Sequence, residues 1–232
     1  MNPGTEMLFQ MARARHFNRW MADTIAPFVR GNVLEIGAGI GNLTEFLSPL
    51  ADHYVALDTE EEHLEALQRR LPQQTNVDRL FSDAADPSAF ESLRERFDTV
   101  IALNVLEHIP DDEATLRNIH DSLRPGGLTI VLVPQCKIAF GSLDEVLEHQ
   151  RRYSRRELRG KMRAAGFRLD RMLQFNRATL PGWILNSRIL RRRTLSNTQL
   201  LLFNAVVPFV RRVDRYLPWP ATSLIAIAVK ET

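Results

Sequence analysis

A few short stretches hold the residues whose types and spacing could do chemistry. Gly37-Ala38-Gly39-Ile40-Gly41 follows the apolar run Val33-Leu34-Glu35-Ile36 and precedes a helical pattern. Glycines let a backbone approach a ligand closely, and a helix start offers free N–H groups. A tight turn without a ligand is the plainer alternative. Asp58 stands 21 residues after Gly37, at the end of the next apolar run. A carboxylate there can accept both hydroxyls of a ribose, or simply supply charge at a helix N-terminus. Asp83 ends the third run, where it can accept the exocyclic amine of adenine, with Asp86 as a nearby competitor. Together these positions point to an adenosine-containing ligand. His108 follows the fourth run, and His149 follows the fifth in Glu148-His149-Gln150-Arg151-Arg152-Tyr153. Histidine suits proton removal near neutral pH. His108 would serve equally as a packing or cofactor-pocket residue, and His149 as a surface histidine. Arg152 and Tyr153 could orient an acceptor or lie solvated on a helix. These residues imply no metal.

The elements that must position these residues are legible as alternating patterns. Residues 6–29 carry Met7, Met11, Ala14, Phe17, Met21 and Ile25 three or four apart, one face of an amphipathic helix. Strands are predicted at 33–36, 53–57, 77–81, 99–104 and 128–133. Helices are predicted from about 42 to 49 and over 60–71, 87–94, 111–123 and 154–165. Arg124-Pro125-Gly126-Gly127 is a turn. Five apolar strands alternating with helices argue for a parallel sheet covered on both faces. Ligands of such sheets bind beyond the carboxyl ends of the strands, where strand order switches. The ending differs: strands at 167–175 and 222–229 stand about 46 residues apart. Between them lie Pro181-Gly182-Trp183, a basic stretch at 188–193 and a helix over 197–217, broken or kinked near Pro208. A connection this long reads as a lid or substrate module.

Composition bounds the rest. A chain of 232 residues, 44% hydrophobic and 25% charged, can bury a sizeable core, which excludes disordered, collagen-like and disulfide-knot classes. The single cysteine, Cys136, allows no internal disulfide and fits a reducing compartment. The first thirty residues lack a continuous apolar core, so no secretory signal is read and a cytoplasmic location is expected. The net charge of +2 hides an asymmetry: residues 1–150 sum to −12 and residues 151–232 to +14. A basic end suggests an anionic partner, or attraction between the protein's own two halves.

As a set, Leu34-Glu35-Ile36-Gly37-Ala38-Gly39-Ile40-Gly41-Asn42-Leu43-Thr44, Asp58, Ser82-Asp83-Ala84, Asn104-Val105-Leu106-Glu107-His108-Ile109 and Leu123-Arg124-Pro125-Gly126-Gly127 resemble class I S-adenosylmethionine-dependent methyltransferases. His16-Phe17-Asn18-Arg19-Trp20 resembles the cap helix of that family. The resemblance covers roughly residues 15–175 and implies a Rossmann-like, doubly wound, mostly parallel seven-stranded α/β sheet. The last two strands would form a reversed hairpin, with a helical insertion between them. It implies S-adenosylmethionine as cofactor. Gly37, Gly39 and Gly41 would surround its methionine and ribose portions, Asp58 would hold the ribose, Asp83 with Ala84 the adenine, and Asn104 the methionine moiety. Glu35, Asn42 and Trp20 join the expected cofactor-binding set. The expected organisation is one domain: a cap helix over 1–30, a cofactor-binding core over 31–175, a helical lid over 176–221 and a final strand over 222–232. The spacing Gly-x-Gly-x-Gly departs from the dinucleotide fingerprint and disfavours NAD.

Methyl transfer needs an acceptor held in line and water kept out. A hydroxyl acceptor needs a base, for which His149 and His108 are the candidates; an ionised carboxylate does not. Arg188, Arg191, Arg192 and Arg193 sit beside Trp183, Ile184 and Leu185, and arginine forks bind carboxylate and phosphate. The expected reaction is therefore O-methylation of an acidic small molecule or peptide carboxylate in biosynthesis, with Arg152, Tyr153, Arg188 and Arg192 at the substrate. The alternatives are a lipid-linked or phosphorylated acceptor at oxygen or carbon, a peripheral contact with an anionic membrane, a dimerising helix pair, and a cofactor-binding partner protein without catalysis. Nucleic acid is disfavoured, because the aromatics are not interleaved with the basic residues.

Overall fold

The computed structural model describes residues 3–194 and 196–231. Met1, Asn2, Leu195 and Thr232, which the expected cap helix, insertion and final strand take in, lie outside the described residues. Along the chain come α1 (Pro3–Ala12), α2 (Arg15–Ile25), β1 (Asn32–Ile36), α3 (Thr44–Leu47), β2 (His53–Asp58), α4 (Glu61–Arg70), β3 (Val77–Phe81), α5 (Pro87–Glu91) and β4 (Phe97–Leu103). They are followed by α6 (Asp112–Ser122), β5 (Leu123–Pro134), α7 (Ser142–Val146), α8 (Arg155–Ala164), β6 (Phe167–Phe175), α9 (Leu180–Ile184), α10 (Asn197–Val213) and β7 (Ser223–Lys230). The seven strands form one sheet in the order β3-β2-β1-β4-β5-β7-β6. The sheet is mixed: β6 and β7 pair as the expected antiparallel hairpin, and β7, inserted between β5 and β6, is the one strand that runs against the rest.

The side-chain alternation of a strand explains why these runs are apolar throughout. Val33, Ile101, Ile130, Leu132, Ile225 and Ile227 face one side, where they meet Phe17, Met21 and Ile25 of α2 and Leu200 and Val207 of α10. Leu34, Ile36, Val100, Val131, Val133 and Leu224 face the other, against Leu116 and Ile119 of α6 and Leu158 and Met162 of α8. The edge strands differ. β3 carries exposed Asp78 and Arg79, and β6 carries exposed Arg168, Asp170 and Arg171, charges that discourage pairing with another chain.

Several boundaries depart from the predicted ones. The long N-terminal helix is two helices, divided around Arg13 and Ala14. The second brings its own partner for its first turn: His16 N and Phe17 N donate to Asn204 Oδ1 of α10 at 2.8 and 3.2 Å. Helices leave their first N–H groups without internal acceptors, and here a distant asparagine supplies one. Pro208 does not break α10, which runs on to Val213. A proline there has no N–H for the carbonyl of Asn204; that oxygen meets His16 Nδ1 at 3.0 Å instead. The helix expected from Asn42 is the short α3 followed by a 3-10 turn over Ser48–Leu50. Strand β5 begins at Leu123, taking in the expected Arg-Pro-Gly-Gly turn, with its register to β4 shifting between Phe97 and Thr99. Part of the charge asymmetry resolves internally: Arg152 pairs with Asp144, Lys161 with Asp112 and Glu113, and Arg211 with Asp23.

The Asn204→Ala variant removes the acceptor for two N–H groups of α2, so stability should fall by about 1 kcal/mol, the usual worth of such a cap. Urea unfolding measures it, and an unchanged midpoint would remove this role from Asn204.

Candidate active site

Strand order reverses between β1 and β4, and the crevice beyond their carboxyl ends opens into a cavity of about 780 Å³. Its floor comes from the loops after the strands: Gly37, Gly39, Asp58, Asp83, Ala84, Asn104, Val105 and His108. Its roof comes from α1, α2, α9 and α10, through Met7, Leu8, Met11, Phe17, Met21, Trp183, Leu200 and Phe203.

The glycine turn is shaped for close approach. Gly37 has φ +70°, and a Cβ on it would lie 2.5 Å from Val105 Cγ2. Gly37 N and Ala38 N both donate to Leu57 O, at 2.8 and 3.0 Å. Asp58, buried at the end of β2, fixes the turn from the side: its Oδ2 accepts from Gly39 N at 2.7 Å. Its Oδ1 accepts from Glu60 N at 3.0 Å and meets His63 Nδ1 at 3.2 Å. Asp83 is exposed on the cavity wall, its Oδ1 accepting from Ala85 N at 2.8 Å. Asn104, directly after β4, has φ +55°, a left-handed conformation that asparagine tolerates, and its backbone turns at the mouth of the crevice.

Other predicted positions support the site without lining it. Glu35 is buried beneath the turn, accepting from Thr44 Oγ1 at 2.5 Å and Tyr54 Oη at 2.9 Å. Burial raises its pKa from 4.5 to about 7, against the lowering effect of those two bonds. Gly41 packs toward Leu67 and Leu71. Asn42 donates to Leu8 O at 3.0 Å and accepts from Arg70 Nη1 at 2.8 Å. Trp20 packs against Phe175 in the core, their rings tilted with centroids 4.6 Å apart.

The second half of the site is polar and centres on Asp144, fully buried in α7. Its Oδ1 accepts from Arg152 Nε at 2.8 Å and meets His149 Nδ1 at 3.0 Å. Its Oδ2 accepts from Gly141 N at 3.1 Å and Trp183 Nε1 at 3.3 Å. Those partners hold its pKa below the ordinary value despite burial. The carboxylate at Nδ1 puts the ring proton there, leaving Nε2 of His149 as an acceptor. That nitrogen points toward Glu107 Oε1, 4.0 Å away. Burial pushes Glu107 up from 4.5 to about 8. His108 meets the His149 ring edge-to-face at 4.8 Å, and partial burial together with that neighbour lowers its pKa from 6.5 to about 4.

Of the expected substrate residues, only Arg152 lines the cavity, and it is ion-paired with Asp144 and donates to Gln135 O at 2.9 Å. Tyr153 lies outside: its hydroxyl donates to Asp112 at 2.6 Å and Leu106 O at 3.1 Å. Gln150 binds His108 O and Glu107 O. The Gln-Arg-Arg-Tyr stretch is therefore a strap that clamps the loop after β4. Arg188 donates to Ile138 O at 2.7 Å, and Arg192 is exposed away from the cavity. The roof residues were not predicted as site residues, although the apolar face of Met7, Met11, Phe17 and Met21 was visible without an assigned partner.

Residues 34–129 match a family model described as a methyltransferase domain. Over 108 residues the chain is 34% identical to a ubiquinone biosynthesis O-methyltransferase of Ruegeria pomeroyi, covering 46% of this chain and 42% of that protein. Over 107 residues it is 32% identical to a highly reducing polyketide synthase of Strobilurus tenacellus, covering 43% of this chain and 4% of that protein. The chain thus spans less than half the length of these curated relatives. The fold is that of a solved S-adenosylmethionine-dependent methyltransferase from Mesorhizobium loti, with TM-score 0.62, 16% identity and coverage of 90% and 95% of the two chains. Residues 34–129 thus carry the methyltransferase-domain signature on a chain with the fold of S-adenosylmethionine-dependent methyltransferases, and the cofactor this implies is S-adenosylmethionine. The cradle fits it: a glycine turn that a Cβ would fill, with Asp58, Asp83 and Ala84 on one wall.

Two outcomes test this construction. Asp58→Ala frees the glycine turn, so affinity for S-adenosylhomocysteine should drop at least about tenfold by calorimetry, about 1.4 kcal/mol; an unaltered affinity would strip Asp58 of its role. Because the folded pKa of Glu35 stands above its ordinary one, the folded chain binds that proton more tightly, and stability falls as pH rises from 4.5 to about 7. Glu35→Gln should lose this share of the slope in unfolding midpoints measured across that window; the same slope in both proteins would contradict it.

Proposed function

We propose that this protein methylates a hydroxyl oxygen of a largely apolar, lipid-linked acceptor during biosynthesis. The observation that carries the reading is the composition of the cavity: a nucleoside-sized cradle at the switch point opens directly beneath a roof of Met7, Met11, Phe17, Met21, Leu200 and Phe203. A carboxylate acceptor would call for an arginine with donors to spare. The one arginine among the described lining residues, Arg152, is already ion-paired with Asp144. The likeness to a ubiquinone biosynthesis O-methyltransferase supports oxygen as the target.

When bound, S-adenosylmethionine supplies a methyl group already activated by its sulfonium. Asp58 holds the glycine turn open for it and Asp83 flanks it, while the apolar roof excludes water and grips the acceptor body. His149, oriented by Asp144 as a base is oriented in a catalytic triad, receives the hydroxyl proton at Nε2. His108, lowered to about 4, is a weak base and positions the hydroxyl. We read α1 and α2 as the cap and residues 176–221 as the lid.

The outer surface of that lid suits a cytoplasmic enzyme visiting an anionic membrane. Ile189, Leu202 and Phe209 are each more than 60% exposed, beside exposed Arg191, Arg192, Arg193 and Arg212. Among the described residues no helix is long and apolar enough to cross a membrane.

Incubating the protein with methyl-labelled S-adenosylmethionine and a membrane lipid extract tests this reading. Label should enter the organic phase in a base-stable form, and His149→Ala should cut it at least a hundredfold. Base-labile label would identify an ester and reject the hydroxyl.

A further inference from the structure

Behind the cavity wall, three donor groups converge with a missing partner among them. Glu107, fully buried, finds no hydrogen-bond partner for either side-chain oxygen among the described residues. His149 turns Nε2 toward one of those oxygens at 4.0 Å, beyond hydrogen-bond range, so neither atom satisfies the other. The ring of His108 completes the group, and one ligand atom from each residue lies within 4.8 Å of the others. Burying such a set without a donor is costly, and a cation between the three atoms would satisfy all of them.

We propose that Glu107, His108 and His149 bind a divalent transition-metal ion, zinc being the ion that two imidazoles and one carboxylate suit best. Donors about 2.1 Å from a tetrahedral ion stand about 3.4 Å apart. His108, exposed on the cavity wall, has room to close that distance. The surroundings match such a site. Asp144 receives the other ring N–H of His149, the usual outer partner of a ligating histidine, and Arg152 in turn fixes Asp144. Three protein ligands leave a position open toward the cavity that the two histidines line. An oxygen ligand would enter there; with the ion bound, Nε2 of His149 is a ligand, so its role as a base belongs to the ion-free protein. Binding of the ion is independent of the methylation reading and is measured without cofactor or acceptor.

The test uses the full chain stripped with a chelator, then titrated with Zn²⁺ by calorimetry and with Co²⁺ by visible absorption. One ion per chain should bind, with a tetrahedral or five-coordinate cobalt spectrum free of thiolate charge transfer. Glu107→Gln and His149→Ala should each weaken binding at least about tenfold. His108→Asn, at an exposed position, should do the same and carries the test if either buried variant is misfolded by circular dichroism. His53→Ala, at the half-exposed start of β2, should leave affinity unchanged. Failure to bind a stoichiometric ion, affinity that survives all three ligand substitutions, or a cobalt–thiolate band from Cys136 would overturn the proposal.

Discussion

The buried carboxylate of Asp144 is the constraint on which the polar half of the molecule depends. It gathers donors from a loop, a strap and the segment between β6 and β7: Gly141, His149, Arg152 and Trp183. Neither Asp144 nor Arg152 is tolerable alone at that depth, because each would leave an uncompensated buried charge. Paired, they fix the imidazole of His149 in one orientation and one tautomer. Trp183 receives the same guanidinium on its ring face at 5.0 Å, which ties α9 to the strap. One ion pair thus sets a candidate catalytic group and anchors part of the roof.

The other half is set by Asp58. A carboxylate at the end of β2 reaches across to the backbone of the turn after β1, so two neighbouring parallel strands hold their loops in register. Glu35 works from below through Thr44 and Tyr54. The floor of the cavity beside the glycine turn is therefore polar and hydrogen-bonded, while the roof is apolar and contributed by helices. That division suits a cofactor common to many reactions beneath an acceptor chamber particular to one.

The sheet was legible because the inner strands are apolar runs and the two charged edge strands still carry apolar residues at their ends, with six of the seven starting within two residues of their predicted positions. β5 was extended by sheet pairing that overrode the Pro-Gly-Gly signal, since Leu123 pairs with Phe97 on its neighbour. The floor of the cavity was legible too, because Gly37, Gly39, Asp58, Asp83, Ala84 and Asn104 fall at strand ends and line it. The acceptor side was not. Arg152 and Tyr153 carry the side chains of a substrate clamp, but a buried acid 8 residues upstream and another 41 upstream claim them. Arg188 is claimed by a backbone carbonyl. Glu107 reads as one charge in the loop after the fourth strand, and nothing local tells that His149 will stand beside it. Such pairings are long-range facts of packing. The periodicity of α1 and α2 showed an apolar face but not that part of it would surround empty space.

The union of α2 with α10 through Asn204 and His16 joins positions 188 apart in the chain. The ceiling of the chamber therefore has no scaffold of its own; it exists only while the sheet face on which both helices pack is intact. A molecule gripped by floor and ceiling together would add its binding free energy to the cohesion of the whole chain, not to a hinged flap.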